Sequence, residues 1–135
     1  MQKKIYIING PNLNLLGSRE PEKYGKTSLK DLETLCFDKC KIHGFELNFF
    51  QSNIEGLLID EIHKAINDGA GIIINAGALT HTSIGILDAL NMFKGPKIEI
   101  HITNVHARES FRHKSYISPV ASGIIAGLGV NSYLL

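Results

Sequence analysis

Four residues of this chain have the types and spacing for acid–base chemistry: Arg19 and Tyr24 on one loop, Glu99 and His101 on one strand. A phenol abstracts a proton only as its anion, and holding a group of pKa about 10 ionised near pH 7 costs about 4 kcal/mol. One guanidinium at about 4 Å, in a medium of effective dielectric near 20, supplies a similar amount. Arg19, on the same loop as Tyr24, is the candidate cation. The alternative is that Tyr24 caps the loop hydrophobically and Arg19 is solvated. His101 can serve as a general acid, with Glu99 on the same strand face to orient its ring. Otherwise His101 is a plain half-buried strand residue. Further polar groups stand where strands end: Asn9 and Asn12, Asn75, and Thr103 near His101. Turn formation accounts for two or three of them, whereas convergence of the whole set on one rim asks for a site. His81 offers an anion or hydroxyl contact, or simple polarity at a helix start. His43 and His63 fall on solvated helix faces. His106 and His113 share an irregular stretch with Arg108 and Arg112, which is either a second closing segment or an exposed loop.

The elements that must position these groups follow from hydrophobic period. Residues 5–25 start as a buried strand, break at Asn9-Gly10-Pro11, and continue as a long polar loop carrying Asn12, Arg19 and Tyr24. A loop of that length in a compact domain is usually functional or disordered. Leu13, Leu15 and Leu16 need somewhere to pack, which favours an ordered working lid. Apolar runs predict strands over 4–9 and 71–76, each buried on both faces. Partial alternation predicts a strand over 45–51. Strict alternation in KIEIHIT predicts one over 97–103, with Ile98, Ile100 and Ile102 opposite Glu99 and His101. A last strand falls at 123–126. Helices are predicted over 28–44, opened by a capping box at Ser28 and Asp31 and closed by Gly44, and over 57–68, 82–93 and 130–135. Residues 104–119 read as irregular, with one helical turn around 107–111. Alternating strand and helix argues for a parallel sheet covered on both faces. The predicted fold is therefore a flavodoxin-like three-layer α/β sandwich with strand order 2-1-3-4-5, one domain over residues 1–135. Its ligand crevice would lie beyond the carboxyl ends of strands one and three.

Composition removes several classes of function. At 135 residues the chain is too short for a (β/α)₈ barrel, which needs about 200 or more. A net charge of +1 gives no field to draw nucleic acid or a membrane surface. The start is too briefly apolar for a signal peptide, and no run approaches the roughly 20 residues of a membrane span. A cytoplasmic protein is expected. Cys36, Cys40 and His43 share a helix face and invite a metal reading, but structural zinc wants four ligands. Leu29, Leu32, Leu35, Cys36 and Cys40 make an ordinary buried stripe. Strand one runs into Asn-Gly-Pro-Asn, without a GxGxxG fingerprint or a GxxxxGK loop, and Asn9 stands where a phospho-receiver would want an acid. Gly123, Gly127 and Gly129 match neither nucleotide pattern and are expected to let backbones approach closely.

The residues that carry the chemistry also carry a family resemblance. Ile8-Asn9-Gly10-Pro11-Asn12-Leu13-Asn14, Leu16-Gly17-Ser18-Arg19-Glu20-Pro21 and Tyr24-Gly25 resemble the signature of the type II 3-dehydroquinate dehydratases. The likeness continues through Asn75-Ala76-Gly77-Ala78, Thr80-His81-Thr82-Ser83, Asp88-Ala89, Glu99-Ile100-His101-Ile102-Thr103-Asn104, Arg108, Phe111-Arg112 and Gly127-Leu128-Gly129. It implies reversible dehydration of 3-dehydroquinate to 3-dehydroshikimate through an enolate, by overall anti elimination, in the shikimate route to chorismate and the aromatic amino acids. It implies no cofactor, metal, nucleotide or Schiff base. By the same resemblance Tyr24 would be the base and Arg19 the group lowering its pKa. His101 would donate to the leaving hydroxyl, Glu99 would orient it, and Asn12 would hold a water on the enolate. Asn75, His81 and Arg112 would bind hydroxyls and carboxylate. Ile102 and Thr103 would bind carboxylate through backbone N–H groups and the Thr103 hydroxyl, and Arg108 would sit in the second closing segment. Two departures are a shorter final helix and Thr103, where many members carry serine and where the hydroxyl is kept. The family assembles as trimers gathered into dodecamers, with Asp88 reaching a neighbour's site. Independently, Ile84, Ile86, Leu87, Ala89, Leu90, Met92 and Phe93 cover most of one helix, so a monomer would either leave one face bare or bury it in its own core. Two other readings stay open: a cofactor-binding flavodoxin-like module and a non-catalytic binder of small acids.

Overall fold

Strand β1 (Lys4–Asn9, KIYIIN) buries alternate side chains on opposite faces of the sheet. Tyr6 and Ile8 enter one apolar cluster and Ile7 the other, so a central strand has no polar face to spare. The computed structural model describes residues 3–135. Around β1 stand β2 (Glu46–Gln51), β3 (Gly69–Asn75), β4 (Lys97–His101) and β5 (Gly123–Ala126). All are parallel and lie in the order β2-β1-β3-β4-β5, the expected α/β architecture.

Helices clothe both faces. After a single turn, α1 (Pro21–Tyr24), the chain forms α2 (Leu29–Ile42). Ser28 caps α2 by accepting the Asp31 backbone N–H at 3.1 Å. Its Leu32 and Cys36 pack with Ile7, Ile100 and Tyr133. The buried stripe is narrower than predicted, since Leu35 is 42% exposed and Cys40 only partly buried. On the other face α3 (Glu55–Asp68) and α4 (Ile84–Met92) pack Leu58, Ile62, Ala65, Ile86 and Leu90 against Tyr6, Ile8, Ile72 and Ile74. Each such fully buried Ile or Leu contributes about 1.5–3 kcal/mol by leaving water. Two readings of α4 each hold for part of it. Ile86, Ala89, Leu90 and Phe93 enter the core, while Ile84 and Met92 remain 58% and 54% exposed. The chain closes with α5 (Asn131–Leu134).

Several boundaries move for identifiable reasons. Helix α4 starts at Ile84, not residue 82, because Gly77–His81 forms a 3₁₀ turn and Ser83 caps the helix through the Ile86 N–H at 2.9 Å. His81 therefore ends a turn and does not begin a helix. Strand β4 stops at His101, two residues early. Its ladder with β5 ends at Ala126, and Gly127 turns away with φ +87°. Gly127 and Gly129 thus supply left-handed backbone. The expected close backbone approach holds at Gly127, where a Cβ would press on Asn104, and is corrected at Gly129, which faces open space, and at Gly123, which meets only the Ile98 side chain. The stretch 104–119 holds three short 3₁₀ turns, Val105–Ala107, Ser110–Arg112 and Ser118–Val120, where one was expected.

The approach is much tighter at Gly10, where β1 leaves the sheet. Its N–H donates to the Asn75 carbonyl at 2.8 Å, and a Cβ there would run into the Ala76 carbonyl. Neither backbone can yield without breaking that bond. Gly10→Ala should therefore cost about 3 kcal/mol, the upper end for overpacking. Urea denaturation reads it directly, and an unchanged midpoint would mean the two strand ends can separate freely.

Candidate active site

The carboxyl ends of β1, β3 and β4 open into a cavity of about 160 Å³, where the strand order places it. Asn12, Arg19 and Tyr24 reach it from the loop after β1. Asn75 and His81 come from the end of β3 and the turn beyond. His101, Ile102 and Thr103 arrive from the end of β4, and Arg108 and Arg112 from the irregular segment that follows. Among the described residues no carboxylate and no lysine lines it. Three guanidiniums reach the cavity while their acidic partners, Glu20 beside Arg19 and Glu109 beside Arg108 and Arg112, stay outside its lining, which suits an anionic ligand. Arg108 Nε is buried without a hydrogen-bond partner among the described residues, the kind of donor that a bound anion completes.

The lid is held at both ends. Leu13 and Leu16 are buried, though Leu15 stays 51% exposed. The Asn12 N–H donates to Asn53 Oδ1 at 2.9 Å. Asn12 (φ 72°) and Glu20 (φ 42°), non-glycine residues in left-handed backbone, both lie on this segment, and such outliers tend to collect at functional sites. The turn Pro21–Tyr24 sets the Tyr24 ring between two cations. The guanidinium carbon of Arg19 lies 4.9 Å from the ring centroid and that of Arg108 lies 5.6 Å away. Arg108 was expected only as part of a closing segment; its second contact, a hydrogen bond from Nη1 to Thr103 Oγ1 at 3.3 Å, ties that segment to the end of β4.

Across the cavity, His101 Nε2 meets Glu99 Oε2 at 2.5 Å, with both residues buried. His101 itself lines the cavity. Glu99 sits behind His101, outside the cavity wall. Ser118 Oγ donates to its Oε1 at 2.5 Å and Ser115 Oγ to its Oε2 at 2.9 Å. Burial acts to raise the Glu99 carboxyl, but the bonds from His101 and Ser118, the His101 charge and the bond from Ser115 outweigh it and hold it below the usual range. The sign for stability follows. This carboxylate stabilises the fold fully above the unfolded value of about 4.3, and its contribution is lost as pH falls through the lower folded value. Thermal unfolding of the wild type should fall away below about pH 4, and Glu99→Gln should show a shallower acid slope. Parallel slopes would mean that Glu99 does not carry the charge.

His81 lies beside His101, with ring centroids 6.5 Å apart and planes within 15°. Its Nδ1 bonds the Lys114 carbonyl at 2.7 Å. A carbonyl only accepts, so Nδ1 carries a proton, and in the neutral ring Nε2 is an acceptor. His106 and His113 are exposed, their rings 5.6 Å apart, and line a neighbouring hollow that also reaches Glu99, His101 and Arg112, while Arg108 and Arg112 line the main cavity. Asp88 does not reach the cavity of its own chain and lies exposed on α4. Asn9, expected on the rim, is instead fully buried, bonded to Phe50 and Tyr133. Sequence reasoning passed over Ser115, Ser118 and Tyr133, since no local pattern marks a residue that bonds to a partner far along the chain.

A family model described as class II dehydroquinase matches residues 3–135. The 3-dehydroquinate dehydratase of Cereibacter sphaeroides (strain ATCC 17029) is 56% identical over 135 residues, covering 100% of this chain and 92% of that protein. The catabolic 3-dehydroquinase of Meyerozyma guilliermondii is 60% identical over 136 residues, covering 98% and 93%. The crystal structure of the type II dehydroquinase from Propionibacterium acnes superposes with a TM-score of 0.95 at 41% identity, covering 99% of this chain and 92% of that one.

Proposed function

The chain belongs to the class II dehydroquinase family, and we propose that it performs the 3-dehydroquinate dehydratase reaction with Tyr24 as base and His101 as acid. The observation that carries the assignment is the placing of these two groups on one small cationic cavity, the phenol flanked by Arg19 and Arg108 and the imidazole backed by Glu99. The Tyr24 phenolate takes a proton from the carbon next to the ketone. The C–H electron pair becomes an enolate, whose oxygen is stabilised by a water held on Asn12. His101, held through Nε2 by Glu99, acts as the acid and supplies the second proton. That proton goes to the departing hydroxyl as the enolate collapses, so the products are the conjugated enone and water. Base and acid come from separate segments and work on opposite faces of the ring, which gives anti elimination. Each proton transfer is worth about 10²–10⁴ in rate.

Arg112, the Thr103 hydroxyl and the backbone N–H groups of Ile102 and Thr103 bind the carboxylate. His81, through Nε2, accepts from a ring hydroxyl, and Asn75 completes the polar contacts. The reaction uses no cofactor, and the whole chain works as one catalytic domain. Outward on α4, Ile84 and Met92 flank Asp88 on successive turns. A further copy of the chain covers this face in a trimer-based dodecamer and receives Asp88 near its own cavity. Among the described residues no helix is long and apolar enough to cross a membrane, and both cysteines are free thiols, in keeping with work in the cytoplasm.

Adding 3-dehydroquinate and following the ultraviolet absorbance of the conjugated enone tests the assignment. The signal should rise with protein concentration. Substrate that binds without any enone forming would leave a small-acid binder as the answer. Borohydride with substrate should leave activity intact, and inactivation would bring back a lysine imine.

A further inference from the structure

Asn75 lines the cavity, yet the side chain that holds it belongs to the last helix. Its Nδ2 donates to the Tyr133 hydroxyl at 2.9 Å. That hydroxyl donates to Asn9 Oδ1 at 2.7 Å, and Asn9 Nδ2 donates to the Phe50 carbonyl at 3.1 Å. Asn9, Asn75 and Tyr133 are all buried. The Phe50 end sets the direction of the row. A backbone carbonyl can only accept, so Asn9 must turn Nδ2 toward Phe50 and Oδ1 toward Tyr133. Tyr133 has one proton and gives it to Asn9, which leaves only lone pairs for Asn75. Asn75 must therefore present Nδ2 to Tyr133. Its other side asks for the same orientation, because Oδ1 accepts the Gly77 N–H at 3.2 Å. A flipped carboxamide would lose both bonds and set donor against donor in a dry place. Burial pushes the Tyr133 phenol well above its ordinary value, so the row keeps its proton.

We propose that Tyr133 is a positioning residue for the reaction: through this one-way row it makes Asn75 a donor toward the cavity, which selects an acceptor oxygen on the substrate. The inference rests on the dehydratase reading of the cavity and specifies the polarity of one wall. The second proton on Asn75 Nδ2 is the donor that remains for a ligand.

Steady-state kinetics with 3-dehydroquinate test it. Tyr133→Phe removes both the acceptor and the donor at the centre of the row. KM should rise about 10-fold, the worth of one well-placed hydrogen bond, with kcat within about threefold. In an Asn75→Ala background the same substitution should change KM by less than about twofold, since no carboxamide remains to be oriented. Asn9→Ala leaves Tyr133 in place but frees its proton to turn toward Asn75, and should also raise KM, by about threefold or more. An unchanged KM in both Tyr133→Phe and Asn9→Ala overturns the proposal. An equal rise with and without Asn75 also overturns it, because Tyr133 would then only pack. If the wild type makes no enone, the dehydratase reading falls and takes this inference with it. A wild type that turns over beside an indifferent Tyr133→Phe overturns the inference alone.

Discussion

Tyr24→Phe lowers kcat by about 10²–10⁴-fold, the usual worth of a positioned general base, while the substrate still binds. The substitution removes one oxygen and keeps the ring, so the stacking of Arg19 and Arg108 on it survives. None of the groups assigned to the carboxylate and hydroxyls touches that oxygen. KM, or the dissociation constant from calorimetry, should therefore stay within a few-fold of the wild type. A fall in kcat with binding intact marks an interaction made only in the transition state. Turnover near the wild-type rate would remove Tyr24 from the mechanism, and loss of binding with normal turnover at saturation would make it a substrate contact.

Removing either cation beside that ring should slow turnover. The base works as its anion, and a guanidinium stacked on the ring is attracted to that anion. Solvent screening weakens the attraction, most for Arg19, whose side chain is 37% exposed against 14% for Arg108. Arg108→Ala should therefore cost more than Arg19→Ala, about 10-fold in kcat, and the pair about 100-fold. A raised KM with kcat unchanged in the double variant would show that the cations bind substrate and do not act on the base.

The gap between reading the chain and seeing it folded is widest among the tyrosines. Tyr24 and Tyr133 are the same side chain, and both stand near catalytic groups. One lies on a lid between two guanidiniums. The other is 3% exposed beneath the cavity floor, bonded to Asn9 and Asn75. Only the first announces itself in sequence, because its arginine is a near neighbour on the same loop. The serines behind Glu99 are hidden for the same reason: they lie in an irregular stretch whose local pattern carries no period. Asn9 was misplaced by the reverse error, since a polar residue at a strand end reads as rim whether or not a distant phenol claims it.

Period and punctuation marked five strands alternating with helices, because alternation, apolar runs and capping are local properties of the chain. The rule for doubly wound sheets supplied the order and the crevice, which the pairing of distant strands realises. Residue type and spacing, joined to the family likeness, also named the groups that meet there. Tertiary structure alone decided which polar side chains face the cavity and which are spent holding others. It brought Arg108 to Tyr24, saturated Glu99 with two serines and fixed the polarity of Asn75. Those outcomes depend on contacts between residues far apart in sequence, where hydrogen-bond direction and burial are set by geometry that no local pattern contains.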